Sequence, residues 1–377
     1  MGQEERGGNR LRAGERILLI RPREPGGREN SRLLRVLREG FADICFQEVT
    51  EVSQLEAMTD QAGRLTPEGW QGRFLVLFAV DLGEHGINLE YTRLLDWLRS
   101  HPNGLDGWIG GVVADADSDL YTKSVARELV FTANSSGCAF VGRPLVEGPK
   151  TLSNFAIVAS NLGTDLYGAY VASVKMLAEQ LIAQERQGRA GGKELLVLHA
   201  SSHKSSNTYA VWQRVRQYLQ DCSITEIGLR NGTLADCSGC PYKMCLHFGE
   251  KGSCFYGGVM VEDVYPAVKK ADGILLLAPN YNDALSANLT AFINRLTALF
   301  RTTRFYDKKL FGIVVSGYSG SDLIAEQMIA ALNMNKTFYL PGHFAMLETA
   351  NHPGEAMKLP GIEERIRQYA EHIQRNL

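Results

Sequence analysis

Four of the chain's seven cysteines stand within one short stretch, CSGCPYKMCLHFGEKGSC at 237–254, spaced C-x2-C-x4-C-x8-C. A loop that turned Cys237, Cys240, Cys245 and Cys254 inward round one centre could bind tetrahedral zinc or a cubane iron–sulfur cluster. Gly239, Gly249 and Gly252 give such a loop the backbone freedom to do so. Unliganded or redox-active thiols are the third reading, and the spacing leaves all three open. His247 lies in the same stretch and reads as a solvated loop residue. Cys45, Cys138 and Cys222 adjoin strand-like apolar sequence and read as buried, inert thiols.

A second set of chemistry-bearing residues follows three apolar runs. HASSHKSSNT at 199–208 crowds Ser201, Ser202, Ser205, Ser206 and Thr208, the amide of Asn207, His203 and the Lys204 cation before a helical pattern. Backbone N–H groups and the dipole at a helix start favour an anion, so this set suits phosphate, although simple N-capping would select the same residues. GILLLAPNY at 273–281 leads into Pro279, Asn280, Tyr281 and Asn282, a rigid turn with an aromatic ring and amides. LFGIVVSGYSGSD at 310–322 ends in Ser316, Gly317, Tyr318, Ser319 and Gly320, where glycine lets backbone approach a flat ligand. Tyr281 and Tyr318 suit sheet-end packing equally well, and only their joint placement favours a ligand. Together the three loops fit a planar cofactor with a phosphate tail.

The elements that must position these loops recur. FLVLFAVDLGEHGINL at 74–89 aligns without a gap on ILLLAPNYNDALSANL at 274–289, and GWIGGVVADADSD at 107–119 parallels KLFGIVVSGYSGSD at 309–322. Each half alternates short apolar runs with helical patterns such as SRLLRVLREGF, SVARELVFTA, AVWQRVRQYL and DLIAEQMIAAL. That alternation predicts βαβ units and a parallel sheet covered on both faces, with ligands at the carboxyl ends of the strands. The polar, Gly-rich QERQGRAGGK at 184–193 reads as a linker. The expected organisation is therefore a disordered N-terminus at 1–14, a domain at 15–183, the linker, and a second domain at 194–377. A length of 377 residues suits two such cores.

A net charge of −2 with 22% charged residues gives no electrostatic case for nucleic acid. No apolar run approaches the roughly 18 residues of a membrane span, and the charged, Gly-rich start lacks a secretory apolar core. A cytoplasmic setting is expected, in which clustered cysteines are more often ligands or reactive thiols than disulfides.

In order, HASSHKSSNT, CSGC, the acidic pair Glu262 and Asp263, and ADGILLLAPNYNDALSANLTAFINRL resemble the flavodoxin-like NADPH-dependent FMN reductase family, and most of all its iron–sulfur flavoprotein branch. The resemblance covers residues 193 to about 345. It implies two tandem flavodoxin-like doubly wound domains, with FMN in the second. Where the family's first loop reads Gly-Ser-x-Arg before Asn-Thr, this chain has Ala200 for the glycine and His203 or Lys204 for the arginine. By the resemblance, Asn280 and Tyr281 fall on the second flavin-contacting loop and Ser316 to Ser319 on the third, while the four clustered cysteines stand where that branch holds a 4Fe-4S cluster. Glu262 and Asp263 favour a helix dipole whatever the function and are assigned no chemistry. His343 and His352 have no evident partner in the sequence.

The first half departs from the pattern at each cofactor loop. Glu24 and Glu29 stand where a phosphate would sit, Asp81 replaces Tyr281, and Ala114 with Asp115 replaces Ser316 with Gly317. It reads as a degenerate copy without flavin. Since relatives place flavin near a dimer interface, this half is expected to serve as a built-in partner, with a homodimer as the alternative. The expected function is FMN-dependent electron transfer with a small-molecule or protein redox partner, coupled to a cluster if the cysteines hold one. Two rivals stand beside it: an NAD(P)H-dependent FMN or quinone reductase without a cluster, and a non-enzymatic sensor scaffold whose cysteines hold zinc. The flavin carries the chemistry in the first two, so no catalytic side chain is assigned.

Overall fold

The structure is a computed structural model that describes residues 16–23, 31–42, 44–70, 72–183, 193–201, 205–230 and 232–377. The expected disordered N-terminus and, but for Lys193, the expected linker lie outside the described residues. The chain divides into two compact units, Met1–Gly188 and Arg189–Leu377.

In the first unit the elements run β1 (Ile17–Ile20), α1 (Ser31–Gly40), β2 (Phe46–Val49), α2 (Val52–Ala57), β3 (Leu75–Asp81), α3 (Leu89–Ser100), β4 (Ile109–Asp115), α4 (Thr122–Ser135), β5 (Ala139–Gly148), α5 (Ala156–Leu162) and α6 (Leu166–Ala183). Its five strands lie in the order β2-β1-β3-β4-β5, every pairing parallel. In the second unit come β6 (Lys193–His199), α7 (Asn207–Tyr218), β7 (Cys222–Gly228), α8 (Tyr242–Glu250), α9 (Tyr265–Lys270), β8 (Gly273–Pro279), α10 (Ala287–Phe300), β9 (Lys309–Ser316), α11 (Ser321–Met328), β10 (Ala345–Thr349) and α12 (Ile362–Asn376). Its sheet runs β7-β6-β8-β9-β10, again wholly parallel, so each unit repeats the order 2-1-3-4-5 of a doubly wound flavodoxin-like sheet.

Continuous apolar strands follow from burial on both faces. Leu75 to Val80 and Gly273 to Ala278 are buried throughout, and the removal of each Leu or Val from water contributes about 1.5–3 kcal/mol. One face of the second sheet packs Leu195, Val197, Leu275, Leu277, Phe311 and Ile313 against Trp212 of α7 and against Ile366, Tyr369 and Ile373 of α12. Strand order, not direction, reverses at β6: the chain passes to β7 on one side and then to β8 on the other, so the connections diverge and leave a crevice between the carboxyl ends of β6 and β8. Among the described residues no helix is long and apolar enough to cross a membrane.

Candidate functional site

The three sequence-marked loops of the second unit leave the carboxyl ends of the adjacent strands β6, β8 and β9. After β6, Ser201 is buried and its Oγ has no hydrogen-bond partner among the described residues. An orphaned hydroxyl is costly unless a ligand or water satisfies it, and here it lies just past β6 in the loop that leads to α7. Ser206 caps α7 by accepting from the Tyr209 N–H at 3.2 Å, and Thr208 is buried beneath. Ser202, His203 and Lys204 lie outside the described residues. Asn207 acts within the protein: its Nδ2 donates to the carbonyls of Ala350 (3.2 Å) and His352 (2.9 Å), tying α7 to the loop that follows β10.

After β8 the chain turns back within four residues. Tyr281 and Ala284 exchange backbone hydrogen bonds of 3.3 and 3.1 Å, and Asn282 (φ 53°) and Asp283 (φ 57°) both adopt the left-handed conformation that Asn and Asp tolerate. Asn280 fastens this turn. Its Oδ1 accepts from the Asp283 N–H at 2.8 Å, and its Nδ2 donates to Asp283 Oδ1 (3.1 Å) and to the Ser319 carbonyl in the next loop (3.3 Å). Gln327 of α11 completes the link, donating to the Asp283 carbonyl at 2.9 Å and accepting from the Leu285 N–H at 3.0 Å.

After β9, Ser316 is fully buried and its Oγ accepts from Ser321 Oγ at 2.9 Å. Gly320 has φ 91°, and a Cβ there would lie 2.6 Å from Asp283 Oδ1 and 2.9 Å from Asn280 Nδ2. A side chain would therefore wedge the two loops apart. Tyr318 is 76% and Tyr281 55% exposed, large aromatic faces left in solvent on adjoining loops, and Tyr318 Oη accepts from Asn351 Nδ2 at 3.0 Å. Asp283, Gly320, Gln327 and Asn351 belong to this edge although the sequence reading passed over all but Gly320. The Asn-Asp pair at 282–283 was the available turn signal.

Beside these loops, Glu226 of β7 accepts from Tyr209 Oη and Trp212 Nε1, both at 2.9 Å, and stands 3.5 Å from His199 Nε2. Partial burial opposes the Glu226 charge, but the hydrogen bonds from Trp212 and Tyr209 outweigh it and hold the carboxyl below its usual range.

The cysteines correct the sequence reading. Among the described residues, which include Cys237, Cys240, Cys245 and Cys254, no three His, Cys, Asp or Glu side chains are grouped to hold a metal ion, so neither the expected 4Fe-4S cluster nor zinc fits the arrangement. The reason is local. Residues 242–250 form α8, which places Cys245 in the first turn and Cys254 beyond the far end, while Cys237 is exposed before Pro241. Gly249 is no hinge: it lies inside α8, where a Cβ would come within 2.5 Å of the Ala298 carbonyl on α10. The whole segment is clasped by Arg295, 2% exposed, which donates to the carbonyls of Gly257 (2.7 Å) and Ala235 (3.4 Å) on either side of the cysteines. Of the remaining thiols, Cys138 is buried, which pushes its pKa well up, Cys222 is partly buried, and Cys45, contrary to expectation, is exposed.

In the first unit, Glu24 and Glu29 lie outside the described residues. Asp81 ends β3, and Asp115, fully buried at the end of β4, pairs with Arg32 at 2.7 Å.

No curated protein matches the chain. It is similar in structure to the NAD(P)H:quinone oxidoreductase from Methanothermobacter marburgensis, with 17% identity, TM-score 0.37, and coverage of 49% of this chain and 97% of that one. Smu.1420 from Streptococcus mutans is similar at 13% identity and TM-score 0.36 over 49% of this chain and 100% of that one. An FMN-dependent NADH-azoreductase from Bacillus anthracis is similar at 10% identity and TM-score 0.33 over 48% and 99%. In sequence, residues 194–352 match the NADPH-dependent FMN reductase family, a stretch that begins in β6 and takes in all three strand-end loops. That family match falls wholly within the second unit and points to an oxidoreductase.

Proposed function

We propose that the protein is a cytoplasmic FMN-dependent reductase that takes reducing equivalents from NAD(P)H and passes them to a small oxidised acceptor. The observation that carries this reading is the convergence of the β6, β8 and β9 loops at the switch point, inside the residues that match the reductase family. The orphaned Ser201 hydroxyl and the N–H groups at the start of α7 suit the phosphate of FMN, with His203 and Lys204 on the same loop as added donors. Pro279, Asn280, Tyr281 and Asn282 form one wall for the ring, Ser316, Gly317, Tyr318 and Ser319 the other, and Gly320 keeps the two loops close. When bound, FMN supplies the hydride and electron chemistry, and these residues supply position and exclusion of water. No electron is routed through the cysteines, because their arrangement does not fit a cluster.

The test is anaerobic mixing of the FMN-loaded protein with NADPH or NADH, followed by a quinone. Loss of the oxidised flavin's visible absorption on mixing, and its return with the quinone, is the expected result. A flavin that stays oxidised under excess of both nucleotides would sink the proposal.

A further inference from the structure

The two units differ at equivalent places on their carboxyl edges. In the second, Asn207 of the first turn of α7 reaches the carbonyls of Ala350 and His352, just past β10. In the first, Arg32 of the first turn of α1 reaches the carbonyls of Gly148 (2.9 Å) and Lys150 (3.1 Å), at and just past the end of β5. The same helix turn thus clamps the loop after the same strand, through carbonyls two residues apart in both units. Strand register extends the equivalence. Gly110 pairs with Val76 of β3 and Gly312 with Leu276 of β8, so the fifth residue onward is Asp115 in one unit and Gly317 in the other.

Where the second unit has no side chain, the first has a carboxylate that water does not reach. Asp115 is 0% exposed and accepts from Arg32 Nη2 at 2.7 Å, Arg32 Nε at 3.0 Å and Tyr170 Oη at 3.1 Å. Arg32 Nη2 also donates to the Ala116 carbonyl at 3.0 Å. Burial works against the Arg32 charge, but the hydrogen bond and charge of Asp115 outweigh it and raise its pKa, while burial and then Asp115 push the Tyr170 phenol well up. Arg32 is thereby kept as a guanidinium and Tyr170 as a neutral phenol donor.

We infer that the first unit supplies its own anion: the Asp115 carboxylate, locked between Arg32 and Tyr170, stands at the edge position that Gly317 occupies in the second unit. Resting on the function proposed above, this limits the chain to one flavin. A flavin brought to the first edge would meet the Asp115 carboxylate where the second unit places Gly317 beside the ring. At the helix start, where its phosphate would sit, it would meet a guanidinium already bonded to three carbonyls and to that carboxylate, so loss of those hydrogen bonds and repulsion both oppose it.

The experiment is chemical rescue with formate. Asp115→Ala removes the carboxylate and leaves a small void faced by a guanidinium and a phenol. Breaking a buried pair is strongly destabilising, and the first unit should melt about 10 °C lower. Sodium formate, against sodium chloride at matched ionic strength, should recover at least half of that loss in Asp115→Ala and leave the wild type unmoved. The double variant Arg32→Met/Asp115→Leu, which removes the guanidinium as well, should fold and show no formate response. That double variant and the flavin count of the wild type keep the inference open to refutation even if Asp115→Ala does not fold. One FMN per chain is expected. Two per chain, an Asp115→Ala protein blind to formate, or a double variant that responds to it would overturn the inference. Because rescue uses no flavin, zero FMN with rescue intact would instead overturn the flavin assignment of the second unit.

Discussion

Gly320→Ala should damage the candidate cofactor site by prying its two ring-facing loops apart. Two costs combine at this position. An alanine at φ 91° carries a backbone cost of about 1–2 kcal/mol. Its methyl would also sit 2.6 Å from Asp283 Oδ1. Asp283 cannot retreat freely, because Asn280 binds it through both backbone and side chain and Gln327 binds its carbonyl. Overpacking against such a fixed neighbour adds about 1–3 kcal/mol. Gly232→Ala is the control, since Gly232 has φ 83° with no atom within 4 Å of a Cβ and so incurs the backbone cost alone. In urea titrations Gly320→Ala should lose about 1–3 kcal/mol more than Gly232→Ala. FMN titrations should then show at least tenfold weaker binding for Gly320→Ala, since each 1.4 kcal/mol of disturbance between the loops is about a factor of ten. Equal stability losses with unchanged flavin affinity in both variants would refute the reasoning.

Other consequences can be checked in parallel. Asn207→Ala removes two hydrogen bonds to the post-β10 loop and should destabilise the second unit by about 1–3 kcal/mol, read by denaturant midpoint; a change under a few tenths would remove Asn207 as a clasp. Arg295→Met releases the carbonyls of Gly257 and Ala235, so Cys237, Cys240, Cys245 and Cys254 should alkylate several-fold faster, and unchanged labelling would show that the segment is held by other contacts. Glu226 has a lowered folded-state pKa, so its contribution is complete above the ordinary carboxylate value of about 4.3 and is lost as pH falls through the lower folded value. Wild type should therefore lose stability more steeply than Glu226→Gln as pH drops below about 4.3, and parallel curves would contradict this assignment.

What the sequence made legible was local. Apolar runs such as ILLLA and IVV could only be strands buried on both faces, and their alternation with helical patterns led directly to two parallel sheets. The loops at strand ends were equally visible, because Ser, Asn, Pro and Gly mark turns by their own backbone chemistry. What escaped was contact between residues distant along the chain. Arg32 and Asp115 are 83 residues apart and Asn207 and His352 145 apart, so neither pairing leaves a trace in either local segment. Asn207 and Thr208 are legible in sequence only as residue types, because a helix cap, a strand-loop clasp and an anion site select the same side chains, and the clasp from Asn207 to the carbonyls of Ala350 and His352 had no local signal. The cysteine stretch misled for a related reason. Four thiols in 18 residues suggest a ligand loop only if the intervening residues stay irregular, yet YKMCLHFGE folds into α8 and packs through Gly249 against α10. Gly249 served close approach rather than flexibility, two roles that glycine leaves indistinguishable in sequence.

The most direct test of the account is an FMN titration, followed by quenching of flavin fluorescence, on wild type and on the Tyr281→Ala/Tyr318→Ala double variant. The account predicts saturation at one flavin per wild-type chain. Because each lost aromatic contact is worth about 0.5–1.5 kcal/mol, affinity should fall roughly 5- to 150-fold in the double variant. Wild-type protein that leaves flavin fluorescence unquenched, or a double variant that binds as tightly as wild type, would contradict it.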